Sequence, residues 1–393
     1  MRLPGGFLAS SVRAGVRKDR PDLALLLAEK GANAAAVFTK NRFQAAPVVL
    51  ARNGLRKSGG RVRAVVVNSG CANAATGSAG LSAARRVRNR AAELVGCPPE
   101  EVFTASTGVI GVVLPDAKIR AALPGAVHRA SKSGLAAASR AILTTDVGPK
   151  VAEASFRVGG RTGRIVGIAK GAGMIHPNMA TMLAFVMTDA AAPPAFLRRA
   201  LRDSVDASFN AISVDGDTST NDTVLLMASG ALRNPPLDGG RGGAEFARAL
   251  TEVCRRLAWM IVRDGEGATR VMEITVTGAR SVRDARLAAN AVATSPLVKT
   301  ALSSGDPNWG RILGAVGRSG ARFSERNVSL SAGPLTLVSK GTIAPYREQD
   351  AARVFSKERV PVTVDLGAGT ASATKLSCDL GHPYVSLNAD YRS

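Results

Sequence analysis

The chain has 393 residues, of which 46% are hydrophobic, 4% aromatic and 21% charged. This length suits two domains or one large intertwined unit, and the composition excludes a disordered chain. The formal net charge is +22, but the arginines are scattered and no block of like charges occurs. With three Tyr and two Trp there is little to stack on nucleic-acid bases. We therefore expect a globular protein with an arginine-rich surface and no nucleic-acid partner.

The cysteines and termini give no sign of metal binding or export. Cys71, Cys97, Cys254 and Cys378 show neither a CxxC motif nor a Cys/His metal spacing. No secretion signal is recognisable, and no apolar run is long enough to span a bilayer. We expect a reduced, cytoplasmic protein with no metal site and no membrane partner.

Short apolar runs and helical periodicities alternate along the chain, which predicts an α/β protein. Strands are predicted at 24–27, 34–38, 47–50, 62–67, 151–158, 164–168, 182–186, 271–276, 328–330, 335–338, 360–366, 371–377 and 384–387. Helices are predicted at 80–95, 117–122, 135–142, 195–207, 246–262 and 284–292.

The loop 68–77 lies between a predicted strand and a predicted helix and is rich in Asn, Gly and Ala. Such a loop can bind an anion at the start of the helix. It has neither the GxGxxG nor the GxxxxGK[ST] pattern, so nucleotide binding is not favoured.

The segment 102–111 is predicted to be a short strand followed by a loop with Thr104, Ser106 and Thr107 beside Gly108. A backbone N–H and a hydroxyl aimed at one point are what an oxyanion hole requires. The alternative from the residues alone is an ordinary Ser/Thr turn.

Two later loops carry carboxylates. The loop from Asp215 to Asp222 opens like a calcium-binding EF-hand loop, but Leu226 stands at its twelfth position and the central Gly is missing. A hydrogen-bonded wall of an active site, or a structural loop, fits it better. Glu266 lies between two glycines, where it could meet a cationic substrate or simply be a solvated turn residue.

The stretch 170–185 holds the most informative pattern. A loop rich in Gly, Pro and Asn runs into an apolar strand, and Thr181 lies at the junction. No Ser-His-Asp pattern such as GxSxG accompanies it. A threonine can act as a nucleophile without histidine if cleavage of the Ala180–Thr181 bond frees its own α-amino group. That amine, with a reference pKa near ~8, can take the hydroxyl proton.

This stretch closely resembles the self-cleaving segment of ornithine acetyltransferases, also called glutamate N-acetyltransferases, of the cyclic arginine pathway. The resemblance extends over nearly the whole chain and follows the order of the family's motifs. It includes residues 6–7, 36–41, 68–70, 107–108, 144–146, 215–223, 264–269, 306–311 and 388–393.

The resemblance implies a layered α/β (α+β) sandwich of the N-terminal-nucleophile, DmpA-like type. It also implies self-cleavage into an α chain, 1–180, and a β chain, 181–393. These chains would be intertwined, so the cut is not a domain boundary, and two of each would assemble. Thr181 matches the nucleophile, and Thr107 and Gly108 match the oxyanion hole. Substrate-binding positions of the family match Thr144, Lys170, Thr181, Glu266, Asn388 and Ser393.

The implied reaction is a ping-pong transfer of acetyl from N2-acetylornithine to L-glutamate through an acetyl-threonine ester. No cofactor is implied, and the sequence leaves open whether acetyl-CoA is also a co-substrate. One alternative keeps the fold but makes the protein an N-terminal-nucleophile aminopeptidase or amidase. Another alternative, from a different class, is a basic nucleic-acid-binding protein without catalytic activity.

Overall fold

The computed structural model describes residues 2–176 and 182–390, which form two β-sheets flanked by helices. The strands are β1 Phe7–Val12, β2 Leu23–Phe38, β3 Arg61–Cys71, β4 Val102–Val109, β5 Lys150–Val158, β6 Arg161–Lys170, β7 Leu183–Thr188, β8 Ile212–Ser213, β9 Thr223–Ala228, β10 Val271–Ala279, β11 Ser329–Ala332, β12 Leu335–Ser339, β13 Thr342–Ile343, β14 Arg359–Asp365 and β15 Ala371–Cys378. The helices are α1 Ala46–Lys57, α2 Gly77–Val95, α3 Asp116–His128, α4 Leu135–Ala141, α5 Pro194–Asp206, α6 Arg241–Arg263, α7 Val282–Ala293, α8 Pro296–Ser304, α9 Trp309–Gly317, α10 Glu348–Phe355 and α11 His382–Asp390.

The first sheet has the order β4-β3-β2-β9-β7-β6-β5, and β1 pairs with β2 outside this path. Strand β7 lies parallel to β9 and antiparallel to β6, while β3 and β4 are parallel. Both ends of the chemistry-bearing stretch 170–185 are therefore held in one sheet, with Lys170 on β6 opposite Leu183 on β7.

Strand β7 is buried on both faces, which explains its unbroken apolar sequence. Ala184 and Val186 face a core formed with helices α5 and α6. Leu183, Phe185 and Met187 face the opposite core, where α4 packs.

The second sheet has the order β13-β12-β11-β14-β10-β15-β8. Helices α7, α9 and α10 help to cover it through a separate apolar core. Strand β8 belongs to this sheet although it lies in sequence between β7 and β9 of the first sheet. The chain therefore crosses between the layers. The predicted α/β layered sandwich is confirmed, and the structure shows that it has two sheets.

Two predicted strands are wrong. Residues 47–50 belong to helix α1 and residues 384–387 belong to helix α11. In each helix a proline, Pro47 or Pro383, lies in the first turn, where the missing N–H costs no hydrogen bond. In α1 the buried residues recur at helical spacing. The β-branched and aromatic residues suggested strands, but the position of each proline favours a helix start.

The predicted loop after 102 is also wrong in part, because β4 continues to Val109 and carries the hydroxyl-rich segment within the sheet. Among the residues that the structure describes, no helix is both long and apolar enough to cross a membrane.

Candidate active site

Six of the residues predicted from the sequence meet at one cavity of about 230 Å³. They come from β4, the loop after α4, the end of β6, the loop after α6, and α11; they are Thr107, Gly108, Thr144, Lys170, Glu266 and Asn388. The three other predicted residues, Ala180, Thr181 and Ser393, lie outside the described residues.

Thr107 and Gly108 lie at the end of β4, next to β3. Gly108 has φ of +129°, and a Cβ there would lie 2.4 Å from the carbonyl carbon of Gly70. Only glycine fits this close approach of two backbones. Thr107 is buried at 5% exposure. The sheet thus holds the hydroxyl and the backbone of this pair in a fixed orientation beside the cavity, as an oxyanion hole requires.

Lys170 is a buried lysine at the end of β6, with 3% exposure. Its Nζ donates to Thr144 Oγ1 at 2.7 Å and to Thr107 Oγ1 at 3.4 Å. Burial lowers the pKa of Lys170, and Asp146 opposes that effect from 3.8 Å. This amine therefore links two of the predicted site residues through hydrogen bonds.

Asp146 anchors the lysine from behind. Its carboxylate accepts hydrogen bonds from Lys150 Nζ at 2.7 Å, Gly171 N at 2.6 Å and Thr144 N at 3.0 Å. Burial alone would raise its pKa, but Lys170 and Lys150 lower that pKa overall. Lys150 also pairs with Asp264. The two lysines and two aspartates form a buried charge network that sequence reasoning did not find.

Glu266 occupies the tight loop predicted for it. Its backbone N–H donates to Ala172 O at 2.9 Å, and a Cβ on Gly173 would lie 2.4 Å from its carboxyl group. Asn388 Nδ2 donates to Glu266 Oε2 at 2.9 Å. Glu266 is therefore not a free turn residue, because both the 172–173 segment and helix α11 pack against it.

The loop that opens at Asp215 forms another wall of the cavity. The Asp215 carboxylate accepts hydrogen bonds from the backbone N–H groups of Met174, Ile175 and Asp217. Burial raises the pKa of Asp215 to about 6. No group of three or more His, Cys, Asp or Glu side chains within 2–176 and 182–390 could hold a metal ion. Backbone N–H donors thus satisfy the carboxylate of Asp215.

The cavity also has residues that the sequence did not single out as site residues. Tyr384 comes from α11. Burial has the largest effect in raising the pKa of its phenol, and the nearby Asp215 and Glu266 raise it further. The others are Ala72, Ile110, Thr145, Gly173, Met174, Asp215, Asp217, Ser219, Thr220 and Asn221. Correct assignment of α11 as a helix would have placed Tyr384 and Asn388, four residues apart, on one helix face.

An α/β layered fold with two hydroxyls, a buried lysine and a carboxylate around one cavity defines an enzyme whose site can hold a small zwitterion. Comparison with known proteins identifies the family: the ArgJ family matches residues 8–393, and the chain belongs to it. The family resemblance found in the sequence is thereby confirmed.

The relatives match along almost their whole length. The arginine biosynthesis bifunctional protein ArgJ of Geobacter sulfurreducens is 49% identical over 391 residues, covering 99% of each chain. The protein of the same name from Thermus thermophilus is 48% identical over 396 residues, covering 100% of this chain and 99% of that protein. A crystal structure of the Bacillus halodurans protein of that name has a TM-score of 0.52 and 39% identity, covering 53% of this chain and 98% of that chain.

Proposed function

We propose that the protein transfers the acetyl group of N2-acetylornithine to L-glutamate through an acetyl ester on Thr181. The chain is an ArgJ-family enzyme, an acetyltransferase of arginine biosynthesis. The structural observation that carries the proposal is the contact of Lys170 Nζ with both Thr107 Oγ1 and Thr144 Oγ1. This contact joins Lys170, the proposed partner of a substrate carboxylate, to β4, the strand that carries the proposed oxyanion hole. Lys170 itself lies opposite Leu183, at the start of β7.

Self-cleavage prepares the nucleophile. The Thr181 hydroxyl attacks the Ala180 carbonyl, the peptide nitrogen leaves as the new α-amine, and water hydrolyses the resulting ester. The products are an α chain, 1–180, and a β chain, 181–393. The register supports this assignment, because Leu183 pairs with Lys170 on β6 and with Thr223 on β9, so that the start of the second chain is held on both sides.

Acetyl transfer then uses the same hydroxyl twice. The α-amine of Thr181 takes the hydroxyl proton while the oxygen attacks the acetyl carbonyl. The Thr107 hydroxyl and the Gly108 N–H stabilise the oxyanion, and the proton passes to the leaving nitrogen of ornithine. The glutamate amine attacks the ester in the reverse sense, which regenerates free Thr181.

The charges of the cavity suit both amino acids. Lys170 would pair with the α-carboxylate of the bound amino acid and Glu266 with the cationic side chain of ornithine. Asn388 holds Glu266 in place, and Thr144 holds Lys170. Ser393 would complete the site from the end of the chain.

The remaining assignments rest on the family resemblance. The reaction would need no cofactor and no metal. The mature protein would combine two α and two β chains in the cytoplasm, with no nucleic-acid partner.

A mass spectrum of the purified protein, taken before and after addition of acetylornithine, tests the proposal. We expect two fragments separated at Ala180–Thr181 and an acetyl adduct on the second fragment, removed by glutamate. Thr181→Ala should remain a single chain of 40.5 kDa without the adduct. Two fragments from that variant would refute the cleavage point.

Glutamate dependence separates transferase from hydrolase. Ornithine release in repeated turnovers should require glutamate. If water deacylated the enzyme equally fast, the protein would be an N-terminal-nucleophile amidase or aminopeptidase instead.

A further inference from the structure

Asp222 is a fully buried residue whose carboxyl group lies beside the start of β7. It lies in the loop before β9 and has 0% exposure. Its Oδ1 accepts a hydrogen bond from Met182 N at 3.1 Å. Its Oδ2 is also buried and has no hydrogen-bond partner among residues 2–176 and 182–390. Such an unsatisfied buried oxygen is rare and calls for a physical explanation.

The surroundings of Asp222 supply one cation and one hydroxyl. Lys170 on β6 acts on it electrostatically. The Thr39 hydroxyl donates to Ser219 O at 2.7 Å and also lies close enough to Asp222 to favour its charged form. Burial raises the pKa of Asp222 well above its ordinary value. The Met182 N–H, the Thr39 hydroxyl and Lys170 all favour the charged form of Asp222, but burial outweighs them.

Cleavage before residue 181 would create a suitable partner. The amide nitrogen of Thr181 becomes an amine or ammonium with additional N–H donors. This nitrogen is one residue away from Met182 N, which already lies at hydrogen-bond distance from the same carboxyl group. An ammonium in contact with Asp222 would offer both a donor to Oδ2 and the opposite charge that favours ionisation.

We infer that Asp222 is a positioning residue that receives the α-amino group released at Thr181 and aims it at the nucleophile's own hydroxyl. This inference rests on the proposed self-cleavage. In the mature enzyme the α-amino group of Thr181 would be the hydrogen-bond partner of Asp222 Oδ2. Among residues 2–176 and 182–390 the same oxygen has no partner, and the ammonium released by cleavage would supply one.

The neighbouring residue extends the argument to the oxyanion hole. Asn221 Nδ2 donates to Ser106 O at 2.8 Å and to Ala72 O at 2.7 Å. Ser106 directly precedes Thr107 on β4. Consecutive residues of one loop therefore hold the oxyanion strand and the start of β7 at a fixed separation. Positioning of the amine by Asp222 is part of the same local framework.

The test uses Asp222→Asn, which keeps the acceptor for Met182 N but removes the charge. To make the variant independent of self-cleavage, residues 1–180 and 181–393 are co-expressed as separate chains. The second chain carries a removable leader, and removal of the leader leaves Thr181 as its first residue. The pKa of the Thr181 amine is read from its rate of carbamylation by cyanate as a function of pH. The rate of single-turnover ornithine release is also measured as a function of pH, and its acid limb gives a second value for the pKa of this amine.

The variant should shift both profiles to lower pH by at least about one unit, because the carboxylate stabilises the ammonium. Asp22→Asn is the matched control, since Asp22 is equally buried and accepts from the backbone N–H groups of Ala14 and Arg17. It should leave both profiles unchanged even if it lowers stability. Profiles of Asp222→Asn that coincide with those of the wild type would overturn the inference.

A second measurement needs no change at Asp222. In protein with 13C-labelled aspartate carboxyls, Asp222 should titrate at lower pH in the cut wild type than in uncut Thr181→Ala. An unchanged titration would overturn the inference. If the wild type is cut but forms no acetyl ester, the proposed acetyl transfer fails, while the amine titration still decides the role of Asp222.

Discussion

Asn388 Nδ2 donates a hydrogen bond of 2.9 Å to Glu266 Oε2, which joins helix α11 to the loop after α6. Asn388 also donates to Tyr384 O at 3.0 Å, within its own helix. A residue near the end of the chain thereby orients a carboxylate that lines the cavity. This contact ties the terminal helix to the loop that carries Glu266.

Asn388→Ala should raise the KM for acetylornithine about fivefold, because it removes a hydrogen bond worth ~1 kcal/mol from Glu266, the carboxylate that we propose binds the cationic side chain. Self-cleavage should continue at the wild-type rate. Steady-state kinetics and gel analysis of fragment formation provide the measurements. Ser386→Ala is the control on the same helix, since the Ser386 hydroxyl donates to His382 O at 3.2 Å within that helix. Equal KM values for the two variants would contradict a role of Asn388 in binding.

Thr107→Ala should slow acetyl transfer by about 10²–10³-fold, because it removes one of the two proposed oxyanion donors. The measurement is the single-turnover rate of ornithine release in the cut enzyme.

Thr104→Ala is the matched control on the same strand. Its hydroxyl is buried and has no hydrogen-bond partner in the described parts of the chain, so its removal leaves no donor or acceptor orphaned there. Its transfer rate should stay near that of the wild type. A Thr107→Ala rate equal to that of Thr104→Ala would exclude Thr107 as an oxyanion donor.

Local pattern predicted the fold well where a single signal dominated. The apolar run 182–186 predicted β7, which the structure places at Leu183–Thr188. The helix prediction at 246–262 falls inside α6. Pattern failed at Pro47 and Pro383, where β-branched and aromatic neighbours suggested strands although each proline marked the first turn of a helix.

The site was predictable only as separate residues. Motif resemblance identified Lys170 and Thr144, but the contact of Lys170 with Asp146 depends on how β5 and β6 pair. Lys150 lies opposite Ala169 in that pairing, next to Lys170. Such a contact follows from tertiary register, which a one-dimensional pattern does not specify.

Asp215 should make stability depend on pH. Its pKa is about 6 in the fold against 3.8 for the ordinary group, so between these values the folded state binds more protons than the unfolded state. The free energy of unfolding should therefore fall as pH rises from about 4 to about 6. A shift of about two units corresponds to about 3 kcal/mol.

Urea unfolding between pH 4 and pH 7 measures this effect. Asp215→Asn should make the decline smaller, because Asp222 also contributes to it, whereas Asp217→Asn, in the same loop, should leave the decline as in the wild type. Parallel pH profiles for wild type and Asp215→Asn would show that burial does not shift the pKa of this carboxyl group in solution.

Lys150→Met should destabilise the protein by about 3–5 kcal/mol, because it leaves the buried Asp146 carboxylate without its 2.7 Å partner. Arg164→Met, on β6, is the control. Its ion pair with Glu153 has side chains 36% and 43% exposed and should contribute at most ~1 kcal/mol.

The two variants are compared by denaturant unfolding and by KM. Lys150→Met should also raise KM, because Asp146 orients Lys170 and the Thr144 backbone through direct contacts. If Lys150→Met lost stability without any change in KM, the charge network would contribute to folding and not to substrate binding. If Lys150→Met were as stable as Arg164→Met, the buried pair would not be a net stabiliser at all, since methionine of similar length would then pack there without cost.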